Sequence, residues 1–156
     1  MKTINPGWLK QIQNVVNPSP YFQLQQMYVK EVGWGISVLE IDLEERHLQP
    51  FGVVHGGVFA SLIDAAGFWA VYSQVPQELG MTTVELSINY LAPAVSGKLI
   101  GTGQCIKLGK TLGVGQALIE NENGQLLASG KTTVMVMKHN NPLEKDSNYV
   151  PKFLSE

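Results

Sequence analysis

From Val58 to Ser73 the chain runs for sixteen residues with one charged side chain among them, Asp64. Apolar residues fall on every side of this segment rather than on one stripe, so it reads as a helix that a single neighbour cannot cover. Something has to wrap it. Ala60, Ala65, Ala66, Gly67 and Ala70 are small enough to let a sheet or a second helix come close. Whatever else the chain does, its remaining residues must supply that cover.

They read as strands. Tyr28 to Val32 and Gly35 to Leu43 look like a hairpin ahead of the buried helix, with Ile36, Val38 and Ile41 suited to a sheet. After Val75-Pro76 come four strand-length runs, Thr82–Leu91, Lys98–Leu108, Gly113–Glu122 and Gln125–Met137. The Asn123-Gly124 pair marks a tight turn before the last of them, because Gly takes positive φ readily. Asn5-Pro6 opens an N-terminal helix, with Trp8, Leu9, Ile12, Val15 and Val16 at helical spacing up to Asn17-Pro18. The stretch Tyr21 to Met27 is left open. The order fits an α+β domain over residues 1–138, an antiparallel sheet wrapped around a long central helix through hairpin connections, followed by a polar tail over 139–156.

Composition narrows the function classes. A formal net charge of −2 offers no general field for nucleic acid. Charged residues make up 15% of the chain, which leaves much neutral surface and points to subunit burial. Cys105 is the single cysteine, so there is neither an intrachain disulfide nor a cysteine metal site, in keeping with a reducing, cytoplasmic setting. No segment has the apolar length of a membrane span or the pattern of a signal peptide.

Asp64 is the residue that asks for an explanation, because an unpaired buried charge costs several kcal/mol. Positions 60, 61, 67 and 68, one turn to either side, are Ala, Ser, Gly and Phe, so no Lys or Arg answers it. Two readings stay open on this pattern: a carboxylate satisfied by Ser61 or a water, or one kept for chemistry. At the start of the same helix stand His55, Gly56 and Gly57. A helix start carries unpaired N–H groups and partial positive charge, and glycines let a ligand reach them, although two glycines also make a tight turn into a helix. An acyl carbonyl aimed there would be polarised. Gly56 and Asp64 are about 12 Å apart along a helix, too far for one carbonyl carbon to meet both. A second copy packed antiparallel across a two-fold axis would bring Asp64 of one chain to Gly56 of the other, with Gly57, Ser61 and Asp64 on the face between them.

The run from His55 to Ala66 (His-Gly-Gly-Val-Phe-Ala-Ser-Leu-Ile-Asp-Ala-Ala) resembles the signature of the hotdog-fold thioesterases of the phenylacetic-acid-degradation and 4-hydroxybenzoyl-CoA type. The run Thr83–Ala94, the turn Gly109-Lys110-Thr111 and the last strand are similar to that family too, so the resemblance extends from about Gly33 to Met137. It implies an acyl-CoA thioesterase with Asp64 as general base or nucleophile, Gly56 as donor to the thioester carbonyl and Gly57 beside it. It further implies that Thr83 helps hold the attacking water, with Thr82 the neighbouring alternative, and that His55 orients the loop. Gln49 stands where relatives often carry an Asn that orients the carbonyl. Lys107, Lys110 and Thr111 match the region near the nucleotide of CoA, with Lys131 on the last strand. The expected assembly is a homodimer with shared sites, and pairing of dimers into a homotetramer is left open. No metal and no cofactor are expected, CoA entering as part of the substrate. Phe51, Phe59, Phe68, Trp69 and Tyr72 serve equally as acyl pocket or as core. Two other functions fit the same fold. One is a non-catalytic domain that binds acyl-CoA or acyl-carrier protein, which has no reason to keep the buried carboxylate. The other is a hydratase, which needs a His paired with an acid in another arrangement.

Overall fold

A computed structural model describes residues 2–139, 141–143, 148 and 150–154 of the chain. Its axis is the expected central helix, here α3 after two short N-terminal helices, α1 (Pro6–Val16) and α2 (Pro20–Gln25). Helix α3 spans Gly56–Tyr72, and ten of its residues are buried. Six antiparallel strands curl around it: β1 (Met27–Gly33), β2 (Ile36–Asp42), β3 (Gly80–Tyr90), β4 (Lys98–Leu108), β5 (Leu112–Asn121) and β6 (Leu126–Met137). This is the hotdog architecture. The sheet comes close because it too is stripped of side chains where the helix passes. A Cβ on Gly103 would lie 2.1 Å from the Ala66 carbonyl oxygen, and one on Gly115 would lie 2.6 Å from that of Gly67. No other residue type fits at those two crossings.

Strand order is β1-β2-β4-β5-β6-β3, which corrects the expectation of hairpin connections throughout. Three neighbouring pairs are hairpins, but β3 follows α3 and joins the far side of β6, so the chain crosses the sheet to enter and to leave it. Curling makes the second crossing short. Residues 91–97 span it, held by Ala92 N–H on the Leu127 carbonyl and by Val54 and Leu43 N–H on the carbonyls of Ala94 and Gly97.

The stretch left open at Tyr21 to Met27 is mostly α2, started by Pro20 in the first turn and ended by Gln26 in the left-handed conformation. No helix among the described residues is long and apolar enough to cross a membrane. Of the tail over 139–156, the described end returns to the body. Phe153 bridges Ile4, and Lys152, only 1% exposed, donates from Nζ to the carbonyls of Tyr72 and Val75 at 2.6 and 2.7 Å. Helix α3 has no basic residue in its last turn, so this lysine satisfies its final carbonyl, that of Tyr72, and that of Val75 just beyond it, from a distant part of the chain.

Candidate active site

Asp64 sits at the middle of α3, half-buried, under the edge of the sheet where β3 meets β6. Its Oδ1 accepts two hydroxyl hydrogens, from Thr83 at 2.8 Å and from Thr132 at 2.9 Å. Thr83 immediately precedes an irregularity in β3, where Val84 is passed over in the pairing with β6. Bulges of this kind re-aim side chains at sheet edges and beside functional sites. Thr132 was not among the residues singled out from sequence. It lies on the inward face of β6, wholly buried, against Gly67 of α3. With both bonds on Oδ1, Oδ2 has no protein partner among the described residues and is left for a ligand or water.

Ser61 does not answer Asp64. Its hydroxyl donates to the Gly57 carbonyl at 2.8 Å and accepts from Tyr21 of α2 at 2.6 Å. The residues of α3 that escape full burial are Gly56, Gly57, Ala60, Ser61, Asp64, Ala65 and Phe68, a single stripe leading from the helix start past the carboxylate. Phe59, Trp69 and Tyr72 turn inward and belong to the core, whereas Phe68 stays on the stripe and Phe51 is 90% exposed.

The helix start is specialised in a different way. His55 is the N-cap, and its Nδ1 accepts the Gly57 N–H at 2.8 Å. An accepting nitrogen carries no proton, so in this arrangement the ring proton is on Nε2, on an exposed side chain. The Gly57 N–H is thereby consumed inside the protein. That of Gly56 has no partner among the described residues, and Gly56 lines a groove of about 430 Å³ with Val54, Phe59, Tyr90, Leu91 and Pro93. Tyr90 closes one wall, donating to the Gly56 carbonyl at 3.2 Å and meeting Phe59 edge to face. Gln49 lies on the loop that leads into this helix start. Its Oε1 accepts the Phe51 N–H, which leaves the amide nitrogen as the free end.

The sequence-derived residues therefore fall into three groups. Asp64 and Thr83 are joined, with Thr132 added. Gln49, His55, Gly56 and Gly57 gather at the start of α3, about 12 Å along the helix from Asp64. Lys107 at the end of β4 and Lys110 and Thr111 in the β4–β5 turn are exposed beside the C-terminal half of α3, where Gly113 passes close to Val71. Thr82 neighbours Thr83 but makes no side-chain bond to Asp64 among the described residues. Lys131 is exposed on the outer face of the sheet, in a polar groove with Ser87, Asn89 and Gln116. Among the described residues no group of three or more His, Cys, Asp or Glu side chains is placed to hold a metal ion.

Comparison with known proteins identifies the family. The family model described as the thioesterase superfamily matches residues 51–128, the span holding α3, the helix start and β3. The 1,4-dihydroxy-2-naphthoyl-CoA hydrolase of Listeria monocytogenes is 33% identical over 105 residues, covering 67% of this chain and 85% of that protein. Acyl-coenzyme A thioesterase 13 of Mus musculus is 32% identical over 98 residues, 62% of this chain and 69% of its own. Among solved structures, thioesterase superfamily member 2 of zebrafish is similar with a TM-score of 0.73 and 27% identity, over 85% of this chain and 99% of that one. A thioesterase of Haemophilus influenzae shares the fold with a TM-score of 0.79 at 24% identity, over 94% and 99%. A curled sheet around an all-round apolar helix, the matched span and these relatives together place the chain in the thioesterase superfamily.

Proposed function

We propose that this thioester hydrolase acts on acyl-CoA, as a homodimer with two sites shared between its subunits. The observation that carries the reading is a division of labour along α3. Midway along its open stripe stands a carboxylate that two threonines hold by Oδ1, and at the helix start is an unpartnered N–H at Gly56. Hydrolysis needs both at one carbonyl, and one chain cannot bring them together.

The two edges of the sheet support pairing. On β1 the edge is engaged at Val29 and Lys30 by α1 and the residue that ends it. Asn17 Oδ1 accepts the Val29 N–H at 2.8 Å, and Gln13 Nε2 donates to the carbonyls of Val29 and Lys30. The outer edge of β3, eleven residues long, has no such cover among the described residues. A bare edge is a template for another strand. Two chains joined there by a two-fold axis place their α3 helices antiparallel, Asp64 of one facing Gly56 of the other.

In that site the substrate carbonyl points at the Gly56 N–H, with Gln49 Nε2 and His55 Nε2, both from the loop into α3, helping to orient it. Asp64 Oδ2 takes a proton from water as the water oxygen attacks the carbonyl carbon, or attacks that carbon itself. The oxyanion is held at the helix start. On the general-base route collapse expels the CoA thiolate, which takes the proton that Asp64 removed from water, and the carboxylic acid is released. On the nucleophilic route collapse leaves an acyl–Asp64 anhydride, which water then hydrolyses to the free acid and Asp64, the second proton of that water going to the thiolate. A thioester is activated enough for these groups to suffice. Lys107, Lys110 and Thr111 lie at the end of the molecule that antiparallel pairing brings beside the partner's helix start, suitable for the CoA phosphates.

The test is Asp64→Asn assayed for thiol release from a panel of acyl-CoA esters. Turnover is expected to drop by at least 1,000-fold, on the order of the loss of a general base or nucleophile, while the protein stays folded and paired. An Asn variant with wild-type turnover excludes the proposed role. Binding of acyl-CoA without hydrolysis by the wild type would favour the non-catalytic reading.

A further inference from the structure

Three backbone segments meet at one buried ring. His47 ends the 3₁₀ turn Glu45–His47 and is 2% exposed. Its Nδ1 accepts the Glu44 N–H at 2.8 Å, so the ring proton is on Nε2, which donates to the carbonyl of Gln25 at 2.9 Å. Gln25 is the last residue of α2. The backbone of His47 reaches the other way, its carbonyl accepting the N–H of His55, the N-cap of α3, at 2.9 Å. Leu48 then bridges Val54. Between these anchors the chain closes on itself, with Gln49 N–H on the Val53 carbonyl and Gly52 N–H on the Gln49 carbonyl.

An apolar side chain could fill the volume of that ring. It could not fix the direction of the loop, because direction comes from two hydrogen bonds at defined angles on opposite sides of the imidazole. The Gly56 N–H belongs to the peptide that joins His55, whose own N–H is held by the His47 carbonyl, to the first residue of α3. The direction of that peptide is therefore set where this loop meets the helix, and the same loop carries Gln49.

We infer that His47 is a positioning residue for the hydrolysis, setting the Gly56 N–H against the thioester carbonyl without touching substrate. The inference rests on the proposed role of Gly56. An oxyanion donor works within a few tenths of an ångström of its place, and a displacement of 1 Å costs about 100-fold.

The experiment uses the full chain and acetyl-, hexanoyl-, palmitoyl- and benzoyl-CoA as probes. His47→Leu removes both ring bonds, His47→Asn keeps an acceptor for Glu44, and His47→Gln keeps a donor for Gln25. Expected is a fall in kcat of about 100-fold for the Leu variant, with KM changed by less than about threefold. Part of kcat should return in the Asn or Gln variant, and melting temperatures identify any variant that is simply unfolded. If Leu does not fold, Asn and Gln serve in its place. The deciding measurement repeats the substitution in a Gly56→Pro background, where the donor is already gone. There the further loss of kcat should shrink to less than about threefold. An equal loss in both backgrounds, or an undiminished kcat in a folded Leu variant, overturns the inference. If the wild type hydrolyses none of the esters, both this inference and the proposed function fall. If it does, and Asp64→Asn abolishes turnover while His47 variants do not affect it, this inference alone falls.

Discussion

Replacing Gly56 by proline isolates one hydrogen atom. The position is the first of α3, where proline is well accommodated because that N–H has no intrahelical partner. The preceding residue, His55, has φ −64° and ψ 138°, the extended conformation that a residue before proline prefers. The steric cost falls on Tyr90, whose hydroxyl oxygen and Cζ would lie 2.9 and 3.0 Å from a new Cβ. That ring is 58% exposed and can shift by a few tenths of an ångström, weakening an exposed hydrogen bond worth about 1 kcal/mol. Gly56→Ala introduces the same Cβ and keeps the N–H, so the difference between the two variants belongs to the donor. Loss of one oxyanion donor costs about 2.7–4 kcal/mol, or about 100- to 1,000-fold in kcat. Thiol release from the best acyl-CoA ester, measured for both variants, should give kcat for Pro lower than for Ala by that factor, at similar melting temperatures. A Pro variant within threefold of the Ala variant would refute the assignment of this N–H and, with it, the need for a second chain at the site.

Mixing provides the companion test: inactive Asp64→Asn and inactive Gly56→Pro chains, unfolded and refolded together at equal amounts, should regain about one quarter of wild-type activity. Half the pairs are mixed and each has one intact site. No recovery despite demonstrated mixed dimers would place both groups on one chain. Thr132→Val keeps the outline of a wholly buried side chain and removes one donor to Asp64 Oδ1. It should lower kcat about 10- to 100-fold, and Thr83→Val added to it should cost less than the product of the two separately, since both act on one oxygen. Lys152 gives a stability signature. Burial pushes its ammonium down to about 7, opposed in part by Glu78. Folding thus favours the uncharged amine, so its penalty is full below pH 7 and lifts as pH rises from about 7 to 10.5, by up to about 1.4 kcal/mol per pH unit. Thermal melts across that window should rise for the wild type relative to Lys152→Met, and parallel curves would count against it.

The central helix was legible because sixteen nearly uncharged residues leave a chain few alternatives, and Asp64 stood out against them. The strands were legible from their lengths and turns. Their order was not: the placement of β3 beyond β6 is a long-range pairing that neither strand's own residues report. Thr132 was hidden among ordinary strand threonines. The signal that would have found it is alternation, since Ala128, Gly130 and Val134 share its inward side while Lys131 points out. Lys152 gave no sign at all, because a lysine in a polar tail reads as solvated until two carbonyls are seen waiting for it. The consumption of the Gly57 N–H by His55 likewise depends on a side-chain torsion that spacing does not report.

Engaging one rim of the sheet with two amide side chains has a consequence for growth. A ribbon with two sticky margins adds copies without end, each newcomer offering a fresh margin to the next. Asn17 and Gln13 engage one margin at Val29 and Lys30, so under the proposed pairing through β3 a third copy meets an occupied stretch on either side.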